Sequence, residues 1–486
     1  MRFRILEAGL GQASHAAITM ALVFALACQP SPQTGQSIPS PEQSTLSASP
    51  PTPSVPDPKA LGRHVVLVSI DGLRPDYYTH ADAYALKIPN LRSLMARGRY
   101  AEGVIGTWPT VTYPAHTTLV TGARPNKHGV LANHPFDPLH TNRDGWNWYA
   151  ESIHADALWD AARRAGKTSG SVYWPVTVGA AIDHNFPQIW RARVSEDDKL
   201  LAALATPGLV AAYTEAYGAT LPAETRTDHE RANGAELLLR KFDDDLTLVY
   251  LTDLDNAQHA YGPGSPEALA TLERIDTELG RILNAVAASS AASRTAVVVV
   301  SDHGFAKVSS VLRLGALFRE AGLIDVAPSG RVRGWQAGVL VAGGLAGVYL
   351  RDPNNAAASA KVASVLADAA RRPGYGIQAV LGADALAKEG GFLGASFALQ
   401  ARAGFEFSDA LEGAIVGPSG DRGAHGYPPE NEDMHASLLA AGAGIRPGPP
   451  TARVSMLAVA PTVARLLGVT LRDAEARPLD DWVESR

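Results

Sequence analysis

The chain has one cysteine in 486 residues, Cys28, and it lies ahead of the part patterned for folding. An internal disulfide is therefore excluded, and so are a cysteine nucleophile and a cysteine-ligated metal in the folded part. Charge is also scarce: 19% of residues are charged and the net charge is −6. That balance argues against a nucleic-acid backbone held by bulk electrostatics. An anionic ligand has to be held locally, by metal ions or by aimed N–H groups. An early apolar run, "AAITMALVFALAC", is too short to make a good membrane-spanning helix. What is present is globular composition, 46% hydrophobic, in a chain long enough for one large domain or for two to three of roughly 150 residues.

The amino-terminal stretch reads as an export signal. Arg2 and Arg4 precede the apolar run and Cys28 closes it. The ending "ALAC" resembles a bacterial lipoprotein box, which implies a lipidated Cys28 as the mature N-terminus. The alternative is an ordinary secretory signal cut near Ala27. Gln29 after the cysteine favours the outer membrane under the lipoprotein reading, so the expected location is the periplasm or the outer membrane. Residues 29–58 are rich in Pro, Ser, Thr and Gln with almost no large apolar side chain. Such a stretch cannot bury enough surface to offset ordering entropy and reads as a tether. Residues 59–486 are then the catalytic domain.

Within that domain, "HVVLVSID", "TLVYLTDLD" and "TAVVVVSDHG" share one design, an apolar β-rich run followed by acidic residues. Helical patterns such as "PEALATLERIDTELGRILNAVAAS" lie between them. Strands alternating with helices predict an α/β fold with a mostly parallel central sheet flanked by helices. In such sheets ligands sit beyond the carboxyl ends of the strands. The spacing loosens over about 140–244 and 308–412, which are expected to be inserted cap segments. "GVLVAGGLAGVYLRD" predicts a hairpin turning at Gly343-Gly344.

The candidate ligands are Asp71, Asp255, His259, Asp302, His303 and His425, the last in "GAHGY". Asp255 and His259 are four apart and face one way on a helical turn. Mixed carboxylate and imidazole ligands suit zinc, and six of them suit two ions, although another divalent metal fits the same ligand types. Two Zn²⁺ bring four positive charges against three from Asp71, Asp255 and Asp302, so one more anion neutralises the site. The threonine-rich stretch "GTWPTVTYPAHTTLVTG" supplies it. Pro114 implies a helix beginning near Thr112, which places that hydroxyl where helix N–H groups favour negative charge. A metal-bound hydroxyl needs no separate general base. Thr112 is therefore the expected nucleophile, and its neighbours are expected to cap and pack.

The segments "VSIDGLRPDYY", "WPTVTYPAHTTLVTGARPNKHGVLAN", "DLDNAQHAYGP", "SDHGF" and "AHGY" resemble the nucleotide pyrophosphatase/phosphodiesterase family of the alkaline phosphatase superfamily. The resemblance implies an alkaline-phosphatase-like fold in which Asp71, Thr112, Asp302 and His303 hold one zinc. Asp255, His259 and His425 hold the other. It implies that Asn133 hydrogen-bonds a phosphate oxygen. Tyr113, where the family usually has phenylalanine, and Trp174 match aromatics of its substrate pocket. Two departures stand out: Ala115 replaces an asparagine, and Val176-Thr177-Val178 replaces Gly-Ser-Asp or Gly-Ser-Glu after Trp174-Pro175.

The implied chemistry is hydrolysis of phosphodiester or pyrophosphate bonds through a phospho-threonine intermediate, with a small-molecule diester or nucleotide as substrate and no nucleic-acid polymer as partner. A diester carries one negative charge at phosphorus, which a neutralised dinuclear core handles. A monoester calls for a further cation, and "VYWPVTVGAA" offers none, although Arg191 and Arg193 lie nearby in sequence. Phosphomonoesterase, phosphonate or lipid-headgroup hydrolase, and a catalytically silent binding lipoprotein remain as alternatives.

Overall fold

The computed structural model of the chain describes residues 62–142, 145–190, 196–223 and 227–484. Cys28, the apolar run before it, residues 29–58, and Arg191 and Arg193 lie outside the described residues. Six strands of the central sheet come first in chain order: β1 (His64–Ile70), β2 (Arg99–Tyr100), β3 (Ser169–Val172), β4 (His184–Phe186), β5 (Leu246–Leu251) and β6 (Thr295–Val300). A second group follows: β7 (Ala306–Arg313), β8 (Ala337–Ala342), β9 (Leu345–Leu350), β10 (Ile377–Gly382), β11 (Phe397–Ala401) and β12 (Gly404–Ser408). The chain then returns to the first sheet as β13 (Leu438–Gly442).

The central sheet has seven strands in the order β2-β13-β6-β1-β5-β3-β4. The run β6-β1-β5-β3-β4 is parallel, and β13 joins it antiparallel to β6. Strands β1, β5 and β6 are buried along their whole length. Burial on both faces is why they read as continuous apolar runs rather than as alternating ones. Helices cover the sheet in two groups: Asp228–Lys241 packs on β5 and on Pro266–Ala288, while Val459–Leu467 packs on β1 and on Thr112–Thr121. The sheet is the mostly parallel, helix-flanked one expected. Among the described residues, no helix is long and apolar enough to cross a membrane.

One of the two loosely patterned intervals differs from expectation. Residues 140–244 do not simply roof the sheet, because β3 and β4 lie within them and extend its parallel run. Their sequences, "SGSV" and "HNF", are too short and too polar to announce buried strands. Residues 308–412 instead contain a separate four-stranded antiparallel sheet, β8-β9-β11-β10, with β12 pairing β7 alongside. Its own apolar core includes Leu312, Phe318, Val348, Val362 and Leu399. The β8–β9 hairpin turns at Gly343-Gly344, with Ala342 paired to Leu345. Its tip presses on the chain at His425: the Gly344 N–H donates to the His425 carbonyl at 3.0 Å. A Cβ at Gly343, where φ is +61°, would lie 2.0 Å from that same oxygen, so only glycine allows the approach.

Candidate active site

Strands β6, β1 and β5 are neighbours, so the residues that follow them share one sheet edge. Asp71 comes directly after β1, and Asp302 and His303 follow β6 by one residue. After β5 the chain enters the helix Asp253–Tyr261, which carries Asp255 and His259 a turn apart. His425 arrives after the two-residue strand Gly423–Ala424, which pairs with the start of β7. The structure thus brings all six expected ligands together. Asp255 Oδ1 lies 3.6 Å from His259 Nε2 and 3.8 Å from His425 Nε2. His303 Nε2 lies 3.1 Å from Asp302 Oδ2 and 3.4 Å from Asp71 Oδ1. The His303 and His425 rings stack, 3.7 Å apart at 10°.

Hydrogen bonds sort the atoms of these side chains into held and free. Each imidazole points Nδ1 at a backbone carbonyl: His303 at Gly304 (3.1 Å), His259 at Gly423 (3.0 Å) and His425 at Thr110 (3.2 Å). A carbonyl only accepts, so Nδ1 carries the proton and Nε2 keeps its lone pair for a ligand. The carboxylates divide likewise. Asp71 Oδ2 accepts from the Tyr250 hydroxyl, and Asp302 Oδ1 accepts from the N–H groups of Gly72 (3.2 Å) and His303 (3.0 Å). The other atoms, Asp71 Oδ1, Asp302 Oδ2, Asp255 Oδ1 and His303 Nε2, are buried without a hydrogen-bond partner among the described residues.

Orphaned buried acceptors are expensive unless a cation meets them. Two sets place their ligand atoms within 4.8 Å of one another: Asp255, His259 and His425, and Asp71, Asp255 and His303. The electrostatics agree. Burial, then the neighbouring carboxylates, pushes Asp71 well above the usual carboxylate range. Burial and then Asp255 push Asp302 up to about 7. Burial and then His425 hold His303 well below the usual imidazole range, and burial and then His259 bring His425 to about 3. For His259, burial acts downward, but Asp255 and Asp421 outweigh it and raise the group to about 9. Negative charge crowds beside two imidazoles held neutral, His303 and His425, and a third, His259, that holds a proton a metal would displace; the donor set fits divalent metal.

The helix Thr112–Thr121 begins at Thr112, after an extended Val111. Every residue of it is buried, and its threonines are accounted for one by one. Thr117 and Thr121 donate to the carbonyls four residues back, Thr118 donates to Ala123, and Thr110 donates to Tyr427. The first three are the local bonds that polar residues make inside helices and turns, whereas Thr110 ties the turn to a distant segment. The Thr107 hydroxyl is sealed in without a partner. The Thr112 hydroxyl makes no hydrogen bond among the described residues and is not sealed in. His116, a residue the sequence reading left without a role, ties this turn to the cluster. Its Nδ1 is 2.8 Å from the Thr112 carbonyl and 3.5 Å from Asp302 Oδ2, and its Nε2 is 2.9 Å from Ser69 Oγ.

Asn133 accepts the Tyr113 N–H through Oδ1 at 2.9 Å, which leaves its carboxamide N–H groups as donors next to the nucleophile turn. Tyr113 and Trp174 require correction. Tyr113 is 1% exposed and packed with Val130, Val176 and Trp146, and Trp174 is 0% exposed, edge-on to His116. Neither ring presents a face on which a base can stack, so both act in packing. The partly exposed ring nearby is Trp146, 5.2 Å from Tyr113 and 4.3 Å from His134. Val176, at one of the departures from the family pattern, has φ +60°. A β-branched residue pays roughly 1–2 kcal/mol there, whereas glycine does not.

A cavity of about 580 Å³ lies between the 134–142 loop and strands β7, β8 and β12, and none of the six ligands lines it. Three of its lining residues stand close along the chain to residues at the site. His134 adjoins Asn133, Val341 adjoins the hairpin tip on His425, and Gly420 adjoins Asp421, which pairs with His259.

Stripped of metal, the protein is expected to gain thermal stability on adding zinc, by roughly 3–4 kcal/mol at 100–1,000 times the dissociation constant. The gain should be larger at about pH 8 than at about pH 5.5, because ligands bind metal deprotonated. Asp302, raised to about 7, is ionised at the higher pH and holds a competing proton at the lower one. Thermal unfolding with and without zinc at both pH values checks this, and equal gains would contradict it.

The sequence profile of the family "Type I phosphodiesterase / nucleotide pyrophosphatase" matches residues 65–427, about three-quarters of the chain. Human ectonucleotide pyrophosphatase/phosphodiesterase family member 5 is 29% identical over 253 residues, 50% of this chain and 45% of that protein. An uncharacterized pyrophosphatase/phosphodiesterase of Schizosaccharomyces pombe is 26% identical over 247 residues, with the same coverage. The matches thus span less than half the length of these relatives. Among solved structures, human ectonucleotide pyrophosphatase/phosphodiesterase 5 superposes with a TM-score of 0.62 at 21% identity, covering 87% of this chain and 100% of that one. The murine counterpart, an inactive threonine-to-alanine variant in complex with AMP, superposes with a TM-score of 0.61 at 20% identity and the same coverage. With this fold, and with the family profile matched from β1 through His425, the chain belongs to the type I phosphodiesterase/nucleotide pyrophosphatase family of the alkaline phosphatase superfamily.

Proposed function

We propose that the protein hydrolyses phosphodiester or pyrophosphate bonds in small molecules, nucleotides among them, through a phospho-threonine intermediate on Thr112. One observation carries this reading: the threonine-rich helix start whose Thr112 hydroxyl is left free is tied, through His116 between the Thr112 carbonyl and Asp302, to a cluster of buried ligand atoms without a hydrogen-bond partner among the described residues. The family's own name supports the reaction class, and the murine neighbour, inactive as a threonine-to-alanine variant and bound to AMP, supports both a threonine and a nucleotide.

In this reading two zinc ions, or zinc and another divalent metal, are held by Asp71, Thr112, Asp302 and His303 and by Asp255, His259 and His425, where they supply Lewis acidity to ionise the hydroxyl and offset charge on phosphate. The residues of the chain do the rest. Thr112 Oγ gives up its proton and bonds to phosphorus, while the bond to the leaving oxygen breaks and that oxygen takes a proton from solvent. Water then adds to phosphorus, the Thr112 Oγ–P bond breaks, and Thr112 regains its proton as the phosphomonoester leaves. Asn133, oriented by Tyr113 N–H, donates to a non-bridging oxygen throughout. The start of the helix at Thr112 adds a favourable field for the same charge. Imidazoles face the carboxylates here, which suits the single charge of a diester better than the double charge of a monoester.

Thr112→Ala is expected to abolish turnover while two metal equivalents remain bound; normal turnover in that variant would refute the assignment. In the parent protein, kcat/KM for bis-p-nitrophenyl phosphate is expected to exceed that for p-nitrophenyl phosphate by about a hundredfold, ~2.7 kcal/mol in transition-state terms. A monoester preference would replace the diesterase reading by a phosphomonoesterase one.

The proposal extends to location. Arg2, Arg4, the apolar run and "ALAC" support export with lipid attachment at Cys28, which lies outside the described residues. Cys28→Ser should move the protein from the membrane fraction to the soluble fraction, and unchanged membrane association would count against lipidation.

A further inference from the structure

His259 is the least secured of the three imidazoles. Its side chain is 30% exposed, against 0% for His303 and 10% for His425. His303 and His425 steady each other by stacking at 3.7 Å, whereas His259 meets Phe305 and His425 only edge-on, at 4.8 and 5.2 Å. The segment 419–423 folds back over it instead. The Arg422 N–H donates to the His259 carbonyl at 2.7 Å, the Gly423 carbonyl accepts from Nδ1 at 3.0 Å, and Asp421 Oδ2 lies 3.4 Å from the same Nδ1. The segment is itself anchored. The Asp421 N–H donates to Ser419 Oγ at 2.9 Å, the Ser419 hydroxyl donates to Glu406, and the Ser419 N–H donates to the Ser309 carbonyl at 3.0 Å.

Asp421 faces the nitrogen of His259 that is turned away from the cluster, while Nε2 faces Asp255 Oδ1 at 3.6 Å. It is therefore not a ligand. A carboxylate behind an imidazole fixes the plane of the ring and makes the opposite nitrogen a stronger donor. No carboxylate pairs with the Nδ1 of His303 or His425 among the described residues; carbonyls serve there. We infer that Asp421 is a positioning residue for His259, and that it sets how tightly the group Asp255, His259 and His425 holds its metal ion. The inference rests on the metal-site reading above and adds to it a difference between the two sites: His303 of one is held by burial and ring stacking, whereas His259 of the other depends on an anchored carboxylate.

The test is a zinc competition titration of the purified protein against a chromogenic chelator, for the parent, Asp421→Asn and Asp421→Glu. The parent should bind two ions. Asp421→Asn should bind one of them about 10–100-fold more weakly and the other unchanged, with Asp421→Glu recovering part of the loss. Turnover of a diester by Asp421→Asn should fall at limiting zinc and recover in excess. Asp421 is half exposed and its backbone N–H bond to Ser419 survives substitution, so the thermal midpoint with saturating zinc should match the parent. Two unchanged affinities in Asp421→Asn would overturn the inference and leave the metal site standing. A parent that binds no zinc would overturn both.

Discussion

Three carboxylates and three imidazoles converge at one sheet edge with four of their ligand atoms buried and unpaired, and much of the structure follows from that constraint. Adjacent parallel strands lie about 4.8 Å apart, so residues that follow β6, β1 and β5 are bound to meet. What keeps them from simply neutralising one another is that five of the six are half-satisfied. Tyr250, Gly72 and the His303 N–H hold one oxygen of Asp71 or Asp302, and carbonyls hold one nitrogen of each imidazole. The remaining atom of each side chain is aimed inward with a lone pair to offer.

The second, antiparallel sheet serves the same arrangement from outside. Its hairpin tip at Gly343-Gly344 closes on the His425 carbonyl, while β12 and the segment after it brace His259 through Glu406, Ser419 and Asp421. Two of the ligands therefore depend on a layer with its own core. That layer also walls the cavity of about 580 Å³.

The parts of this site that announce themselves in sequence are those with a strong local signature. Apolar strands ended by Asp71 and Asp302, the four-residue spacing of Asp255 and His259, and Pro114 after Thr112 each carry a physical reason at that position. Other features escape because burial and contact decide them. "SGSV" becomes a sheet strand only because β5 offers it an edge, and "HNF" only because β3 then offers the next one. Residue type alone does not say that Tyr113 and Trp174 face the interior, nor that Tyr250, in an otherwise aliphatic strand, aims its hydroxyl at Asp71. His116 and Asp421 gain their roles from partners distant in sequence.

The central claim is that Thr112 carries the phosphoryl group. The most direct measurement is an acid quench of the protein during steady turnover of a diester, followed by mass spectrometry of the peptide spanning Gly106 to Gly122. The account predicts a fraction of that peptide bearing one phosphoryl group, localised on Thr112. Turnover with this peptide unmodified and a phosphoryl group on any other residue would contradict it.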